Sequence, residues 1–240
     1  MNDPAPPATV RPMRQLPLPI HDEPVPTLDS YRPGANAAAL ALLMELLQQR
    51  ADGAVPPPAY LWGPPGSGKS HLLQALAAAV REEGGGVLHV DAVGALPGGP
   101  EGTELLLLDD CEAYAAERQQ AAFALFVDAV ARGAWVVAAG RLPPVDLPLR
   151  DDLRTRLGWG HVIALQSVDE AAAGEVLAAE AARRGVRLPA ELATYLMARF
   201  PRDLKTQSTL LQRLEAYALE HQRPLTLPTL RQMLQDDPLR

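Results

Sequence analysis

The chain has 240 residues, 48% of them hydrophobic, which indicates a globular protein with one sizeable domain and a smaller one. Its net charge of −7, from 29 acidic and 22 basic side chains, argues against a large nucleic-acid surface, so contact with DNA is expected to be indirect. The single cysteine excludes a disulfide framework, and neither a membrane span nor the apolar core of a secretory signal is found; these absences predict a cytoplasmic protein with no membrane contact.

The N-terminal segment is rich in proline: eight of the 24 prolines lie in the first 26 residues, where no helical period is present. This composition predicts an extended, largely disordered arm over residues 1–26. A helix is predicted next, from Asn36 to Gln49, because its leucines and alanines form a wide apolar face. Prolines and a glycine at 53–58 end that helix.

Five apolar segments follow, several of them hydrophobic at every position rather than at alternate ones. Such strands, separated by helical segments, predict a parallel sheet covered by helices on both faces, which is a three-layer α/β domain over residues 27–166. The strand candidates are Ala59–Trp62, Val87–Asp91, Leu105–Asp109, Trp135–Ala139 and Val162–Leu165. Between the third and the fourth, a helix near Ala113–Arg132 offers Phe123, Leu125, Phe126 and Val130 as core contacts.

The pattern after Leu165 is helical only, which predicts a small all-helical lid domain over residues 167–240. Four helices are expected there, at Val168–Arg184, Pro189–Arg199, Asp203–Leu219 and Leu227–Gln235.

A complete phosphate-binding loop lies between the first strand and the following helix. The motif G-x-x-x-x-G-K-[ST] needs this strand-loop-helix context, in which backbone N–H groups and the helix N-terminus surround a polyphosphate. The alternative is a chance glycine-rich turn. The motif residues, all candidate nucleotide contacts together with the next residue, His71, are Gly63, Pro64, Pro65, Gly66, Ser67, Gly68, Lys69 and Ser70.

The third strand candidate ends in two carboxylates, Asp109 and Asp110, at the distance from the phosphate loop expected of a Walker B motif. Asp109 and the Ser70 hydroxyl are candidate Mg²⁺ ligands, because magnesium prefers hard oxygen donors. Asp110 is the candidate that orients or deprotonates the attacking water. The alternative for this pair is a strand-ending cap of the next turn. The predicted nucleotide is ADP or ATP, because the motif is the same for both.

These motifs together with two further segments, Leu153–Gly160 (LRTRLGWG) and Pro201–Leu204 (PRDL), resemble the DnaA-like branch of AAA+ ATPases. Within that branch the chain is most similar to the regulatory inactivators of the DnaA initiator, over nearly everything from Gln15 onward. The sequence after the lid carries no basic helix-turn-helix domain, which favours the regulator over the initiator. The resemblance therefore implies an AAA+ fold with a helical lid.

The proline-rich arm contains QLPLPI, which resembles the sliding-clamp-binding peptide of these regulators and implies that the DNA polymerase III sliding clamp is a partner. The peptide occupies Gln15, Leu16, Pro17, Leu18, Pro19 and Ile20, and Pro17 replaces the family's serine. The following segment, Thr27–Asn36, resembles the linker beside the adenine pocket, with Leu28 and Tyr31 where aromatic residues are usual.

Two arginines acquire roles from the resemblance. Arg156 matches the arginine finger, which points out of its own subunit at the γ-phosphate bound by a neighbour; the alternative is a surface salt bridge with Asp151 or Asp152. Arg202 matches the sensor 2 arginine of the lid, which contacts nucleotide in its own subunit; the alternative is an exposed arginine at a helix start.

One position departs from the family pattern. The fourth strand is followed by Arg141, at the position where the family normally has a small polar residue that contacts the γ-phosphate. A guanidinium does not hold an attacking water molecule as an amide or a carboxylate does. Weak intrinsic hydrolysis is therefore expected, and whether the chain is itself an enzyme stays open.

The remaining candidates are weaker. The five histidines lack zinc-ligand spacing, and Cys111 is interpreted as a small core residue. The resemblance implies a negative regulator of replication initiation that, with the DNA-loaded sliding clamp, stimulates hydrolysis of DnaA-bound ATP. A helicase-loading or transposition-accessory ATPase of the same branch and a self-sufficient ATPase are the alternatives, and homo-oligomerisation is possible.

Overall fold

The computed structural model of the chain describes residues 25–94, 101–167, 170–183, 185–200 and 204–236. Five strands form one parallel sheet in the order β2-β3-β4-β1-β5. They are β1 (Ala59–Trp62), β2 (Gly86–Val90), β3 (Thr103–Leu108), β4 (Trp135–Gly140) and β5 (His161–Ala164). All five predicted strands are present, each within two residues of its predicted bounds.

Four helices accompany the sheet. The strands β1 and β4 and the second half of β3 are apolar because both of their faces are covered. One face packs against α1 (Ala37–Ala51) and α2 (Lys69–Glu82), and the other against α3 (Ala116–Ala131) and α4 (Asp151–Leu157). In β3, Leu105 and Leu107 face the first side while Leu106 and Leu108 face the second, and all four are fully buried. The predicted three-layer α/β fold is confirmed.

One predicted core contact on α3 is wrong. Phe126 is buried and Leu125 is partly buried, but the side chain of Val130 is exposed to 40%. The helix also begins at Ala116 rather than near Ala113, because residues Cys111–Ala113 form a separate short 3₁₀ turn. Val130 therefore lies on the solvent side of α3, about one turn beyond the exposed Val127 and two turns beyond the half-buried Phe123.

Four further helices pack around a hydrophobic core of their own. They are α5 (Glu170–Arg183), α6 (Ala190–Arg199), α7 (Leu204–Glu220) and α8 (Leu227–Asp236). Fully buried leucines from all four, such as Leu177, Leu196, Leu214 and Leu230, form that core. The helical character predicted after Leu165 is present, and no helix in the described ranges is long and apolar enough to cross a membrane.

Candidate functional site

The phosphate loop connects β1 to α2 at the edge of the sheet where the parallel strands have their carboxyl ends. Gly66 and Gly68 have φ angles of 79° and 88°, which side-chain-bearing residues rarely adopt. The loop also touches two neighbouring strands. A Cβ on Gly63 would lie 2.2 Å from the carbonyl oxygen of Leu165, and the Gly63 N–H donates to the carbonyl of Gly140 at 3.3 Å. The glycines are therefore required both by the turn and by the close packing around it.

Lys69 begins α2 and folds its amine back into the loop. Its Nζ donates to the carbonyl oxygens of Gly63 at 2.8 Å and Pro64 at 3.0 Å, and lies 3.3 Å from Ser67 Oγ. The residue is only 7% exposed, and this burial lowers the pKa of its amine. Among the described residues no carboxylate forms a salt bridge with it. A phosphate group is thus the counter-charge that this geometry can accept.

Asp109 follows β3 and is 6% exposed. Its Oδ1 accepts a hydrogen bond from the Asp110 N–H at 2.9 Å, and its carboxylate is also hydrogen-bonded to the Ser70 hydroxyl. Burial raises the pKa of Asp109, while the Ser70 bond opposes that rise. The two predicted magnesium ligands therefore meet. They offer two hard oxygens, which suits an ion whose other positions are filled by water and phosphate.

Asp110 lies at the turn between β3 and the 3₁₀ segment. Its backbone is in the left-handed region, with φ 50° and ψ 44°, an uncommon conformation for a residue other than glycine. The carbonyl of Asp110 accepts the N–H of Ala113, which closes that turn. The structure thus holds the predicted water-orienting carboxylate by backbone geometry directly beside the buried Asp109.

The linker before α1 lies on the phosphate loop, and Tyr31 makes the contact. The Tyr31 hydroxyl donates to the Ser67 carbonyl at 3.0 Å, and a Cβ on Gly68 would come within 2.5 Å of its ring. Asn36 donates to the same hydroxyl at 3.1 Å and to the Gln166 carbonyl at 2.9 Å. Asn36 thereby joins the linker, the loop and the end of β5.

His71 contacts the same linker. Its Nε2 lies 3.1 Å from Ser30 Oγ and 3.2 Å from the Thr27 carbonyl oxygen, and its ring centre is 5.7 Å from that of Tyr31. His71 therefore lies against the linker that the resemblance associates with the adenine pocket. The structure assigns it this contact in addition to its predicted place beside the nucleotide.

Arg156, the candidate finger, lies between two aromatic rings. Its guanidinium carbon is 5.0 Å from the ring centre of Phe123 on α3 and 4.6 Å from that of Trp159, which is 58% exposed. A cavity of about 360 Å³ lies beside this side chain. Its lining consists of Phe123, Asp151, Asp152, Thr155, Arg156 and Trp159.

The salt bridge considered as the alternative for Arg156 is not formed. Asp151 pairs with Arg154, and Asp152 pairs with Arg150 at 2.7 Å. Within the part of the chain that the structure describes, Arg156 has no ion pair of its own. Its charge is instead held by the two aromatic faces, an interaction that leaves a guanidinium free to meet an anion.

Several predicted residues lie outside the described ranges: Arg202 and the arm peptide with Gln15, Leu16, Leu18, Pro19 and Ile20. Two residues of the site were not singled out for it from sequence: Asn36 and Phe123. Phe123 was interpreted as a core contact. The one sequence feature that could have indicated its role at the site is its place on α3 one turn before the exposed Val127. Cys111 is fully buried, as expected of a core residue, and no group of three metal-ligating side chains occurs among the described residues.

The chain resembles known proteins both in its lid sequence and in its fold. Residues 169–234 match the family model described as Hda, lid domain. The crystal structure of domain III from the Thermotoga maritima replication initiation protein DnaA is similar, with a TM-score of 0.70 at 20% identity over 89% of this chain and 97% of that one. AMPPCP-bound DnaA from Aquifex aeolicus gives a TM-score of 0.64 at 20% identity, over 89% of this chain and 70% of that one.

A crystal structure of a DNA replication initiation factor gives a TM-score of 0.62 at 19% identity over 81% of this chain. This chain spans 65% of the length of that protein. At such identities the structural likeness establishes the fold alone, and the family match covers only residues 169–234, the predicted lid. The predicted AAA+ architecture with a helical lid is confirmed, and the lid is Hda-like.

Proposed function

With an Hda-like lid on a DnaA-related AAA+ fold as the premise, we propose that this chain is a nucleotide-binding regulator of the DnaA initiator. It stimulates hydrolysis of the ATP that DnaA carries and so limits initiation of chromosome replication. In this proposal the hydrolysis occurs in the partner's site, and Arg156 completes that site. The observation that carries the proposal is the placement of Arg156 between Phe123 and the exposed Trp159, with no ion pair to any of the described residues.

The chemistry of a guanidinium explains why this placement matters. The group stays charged at every physiological pH and forks onto two phosphate oxygens, so it stabilises negative charge that develops on a γ-phosphate. Arginine fingers supplied by a second subunit raise hydrolysis rates by about 10³ to 10⁵ in other nucleotidases. An arginine engaged with its own helix's carboxylates would have to break that pair first. Here Arg154 and Arg150 occupy those carboxylates.

The chain's own nucleotide, ADP or ATP with Mg²⁺, binds in this proposal at residues 63–71, Asp109 and Arg202. When bound, the magnesium ion neutralises phosphate charge, with Ser70 and Asp109 as its protein ligands. Lys69 donates to the phosphates and Asp110 orients water. DnaA-type neighbours bound to AMPPCP support nucleotide binding at this fold.

The remaining parts of the proposal concern organisation and location. The arm (1–26), the nucleotide-binding domain (27–166) and the lid (167–240) are three functional units, and the arm docks on the DNA polymerase III sliding clamp. The clamp supplies the contact with DNA, so this acidic chain reaches DNA only indirectly. The protein works in the cytoplasm, and homo-oligomers are compatible with its AAA+ fold.

The test measures single-turnover decay of radiolabelled ATP preloaded on DnaA, with clamp-loaded DNA and each variant of this chain. Arg156→Ala should lower the stimulated rate at least tenfold, about 1.4 kcal/mol of transition-state stabilisation. Arg156→Lys should rescue little, because an ammonium lacks the planar fork. Nucleotide binding by the variant itself should be unchanged.

Arg154→Ala is the matched control. It removes the same charge from the same helix, but from an arginine that already pairs with Asp151. Its stimulated rate should stay within about twofold of the wild type. Equal rates for the wild type and Arg156→Ala would remove the finger from the mechanism. Turnover by the isolated chain on the order of 1 s⁻¹, an ordinary enzymatic rate, would favour the self-sufficient ATPase instead.

A further inference from the structure

The peptide between Ser67 and Gly68 in the phosphate loop has two orientations open to it. Rotation of a peptide plane changes chiefly the ψ angle before it and the φ angle after it, and Gly68, with φ 88°, has no Cβ to restrict that φ. The peptide is trans, so its carbonyl and its N–H point in opposite directions. One orientation offers the N–H to a bound anion, and the reverse orientation offers the carbonyl oxygen. The orientation therefore decides whether this peptide attracts or repels a phosphate.

Tyr31 holds the carbonyl of this peptide. Its hydroxyl donates to the Ser67 carbonyl at 3.0 Å, and the residue is only 6% exposed. Burial raises the pKa of this hydroxyl above its usual value near 10, so the proton of the bond is present at every physiological pH. The ring also lies against Gly68, where a Cβ would come within 2.5 Å of it. The carbonyl thus points toward Tyr31, and the Gly68 N–H points away from it.

The Gly68 N–H is left available to a ligand. Among the described residues none accepts a hydrogen bond from it, whereas the neighbouring Ser67 N–H already donates to the Pro64 carbonyl at 3.3 Å. Gly68 is also the residue that directly precedes α2, so its N–H stands at the positive end of a 14-residue helix. An anion at this end of the helix can therefore accept a hydrogen bond from the peptide that Tyr31 holds.

Asn36 decides the direction of the Tyr31 proton. A hydroxyl carries one proton, and the Asn36 Nδ2 donates to the Tyr31 oxygen at 3.1 Å, so the proton is directed to the Ser67 carbonyl. The amide of Asn36 is itself fixed by the backbone of Gln166. Its Nδ2 donates to the Gln166 carbonyl at 2.9 Å, and its Oδ1 accepts the Gln166 N–H at 2.8 Å. Every donor and acceptor in this chain of bonds therefore has one possible direction.

The helix that follows Asn36 does not use this side chain. Asn36 lies at the N-cap of α1, a position where an asparagine oxygen usually accepts an N–H of its own helix, and no such bond is formed. The side chain is buried and makes its hydrogen bonds to Tyr31 and Gln166 instead. The local role of an N-cap asparagine is thus given up for contacts that lead to the phosphate loop.

We propose that Tyr31 locks the Ser67–Gly68 peptide with its N–H toward the phosphates of the nucleotide, and that Asn36 sets the direction of this lock. The inference rests on the nucleotide site proposed above and adds two positioning residues to it, since neither side chain is a ligand. The peptide does not have to turn when the nucleotide arrives, so binding keeps the affinity that this turn would cost. Because the backbone N–H groups of such a loop hold the α- and β-phosphates, the lock serves ADP and ATP alike.

Calorimetric titration of the full-length chain with ADP and with AMPPCP, both with Mg²⁺, tests the lock. Tyr31→Phe keeps the ring but removes the hydroxyl, so the affinity for both nucleotides should fall about five- to tenfold, as expected for one hydrogen bond. The ratio of the two affinities should stay at the wild-type value, since both nucleotides carry the phosphates concerned. Equal affinities of Tyr31→Phe and the wild type would overturn the proposal.

The Gly68 amide proton reports the orientation of the peptide directly. In the wild type its NMR signal should move downfield when ADP binds, because a hydrogen bond to phosphate deshields the proton. In Tyr31→Phe saturated with ADP that displacement should shrink, because part of the population holds the reversed peptide. A loss of affinity with the full wild-type displacement would mean that Tyr31 only stabilises the fold, and it would refute the lock.

Asn36→Asp tests the direction of the proton. The carboxylate accepts hydrogen bonds but donates none, so the Tyr31 hydroxyl should turn to it and release the Ser67 carbonyl. The affinity for ADP should fall about as far as in Tyr31→Phe, and the double variant should bind no more weakly than Tyr31→Phe alone. Losses that simply add in the double variant would refute the role of Asn36. Thermal unfolding of each variant sets a titration temperature at which all of them are folded.

Tyr114→Phe is the matched control. The Tyr114 hydroxyl is also buried and donates to a backbone carbonyl, that of Val90 at 2.9 Å, but it lies on the other face of the sheet. Both nucleotides should bind this variant within about twofold of the wild type. Lys69→Ala should abolish binding of both, because the polyphosphate loses its main counter-charge. Normal binding by Lys69→Ala would refute the nucleotide site itself, whereas its loss together with unchanged binding by Tyr31→Phe would refute the lock alone.

Discussion

Asp109 illustrates how a single buried residue trades stability for ligand binding. The carboxylate is almost completely removed from water, and the Ser70 hydroxyl, the Asp110 N–H and the nearby His89 compensate this burial in part. A charge held in this way costs folding free energy unless a cation joins it. Magnesium bound with the nucleotide would be that cation. The residue therefore predicts a measurable link between pH, ligand and stability.

The first prediction follows from the sign of that pKa shift. The pKa of Asp109 is higher in the folded protein than its ordinary value near 3.9, so ionisation above that range destabilises the nucleotide-free fold. Asp109→Asn should raise the unfolding temperature at pH 7 by ~2 °C or more. The gain should shrink as the pH falls toward 4, where the wild-type carboxyl takes up its proton.

Thermal unfolding at pH 7 and at pH 4.5 checks this, with Asp128→Asn as the control. Asp128 pairs with Arg132 on the surface, so its replacement should give no gain at either pH. The same Asp109→Asn protein should lose the stabilisation that Mg²⁺ with nucleotide gives the wild type. A lower unfolding temperature than that of the wild type at pH 7 would contradict this account.

At the scale of elements, the contact between α3 and α4 determines how Arg156 is presented. Phe123 reaches across from α3, while Trp159 follows α4 on the same chain segment as the arginine. Each ring offers its negative face to the guanidinium, an interaction of about 0.5–1 kcal/mol at an exposed site. The two rings restrict the side chain without a hydrogen bond or a carboxylate.

The second prediction tests that restriction. Phe123→Ala should reduce the stimulation of DnaA-bound ATP hydrolysis about two- to fivefold, because the loss of one cation–π face of ~0.5–1 kcal/mol leaves Arg156 less well placed. Nucleotide binding by the variant itself should not change. Val127→Ala is the control: Val127 lies one turn further along α3, is 37% exposed and is not part of the lining of the cavity beside Arg156.

Stimulated hydrolysis by the two variants, at matched thermal stability, decides the point. Equal losses in Phe123→Ala and Val127→Ala would mean that α3 acts as a docking surface as a whole. A normal rate with Phe123→Ala would mean that Trp159 alone suffices to place the arginine.

The secondary-structure elements of this protein could be predicted best from the sequence, and the contacts between side chains least. Apolar runs between glycines and prolines gave all five strands, because a parallel sheet buried on both faces leaves no other pattern. The motif spacing located Lys69, Ser70 and Asp109, whose backbone context is local. Glu112 and Phe123 depend on pairings 29 and 33 residues apart in the sequence with Arg141 and Arg156, and no local pattern encodes such pairs.

The prediction that Val130 is a core contact was wrong for a related reason. A valine at helical spacing from Phe123 and Phe126 fits an apolar face, but α3 is rotated so that Ala122, Phe126 and Ala129 face the sheet. The rotation of an amphipathic helix with a wide apolar face is set by tertiary packing, and the sequence period alone does not determine it.

At the scale of the whole molecule, the proposal requires three contacts at once: with nucleotide, with DnaA and with the clamp. The arm peptide would provide the clamp contact, with Gln15 donating and accepting hydrogen bonds and Leu18 and Ile20 entering an apolar pocket. Prolines lower the conformational entropy that the arm loses on docking. In the proposed mechanism, this tethering would raise the effective concentration of the chain near DnaA on replicated DNA.

The third prediction separates these contacts. Replacing Gln15, Leu18 and Ile20 together by alanine should abolish capture by surface-immobilised clamp, measured by plasmon resonance, while ADP binding stays at the wild-type value. The control replaces Pro4, Pro6 and Pro7, in the same arm but outside the peptide, and should be captured normally. Normal capture of the Gln15, Leu18 and Ile20 variant would exclude the peptide as the clamp contact.

The side chain of Asn36 has a consequence for how the chain could be rearranged. Its amide donates to the Gln166 carbonyl at 2.9 Å and accepts the Gln166 N–H at 2.8 Å, across 130 residues of sequence. The start of α1 and the segment that follows β5 thus meet, and a short bridge could join them while new termini are opened in an exposed turn such as the one at Gly53. The sheet and its phosphate loop would survive that circular permutation, because the cut at Gly53 lies between α1 and β1 and divides no strand.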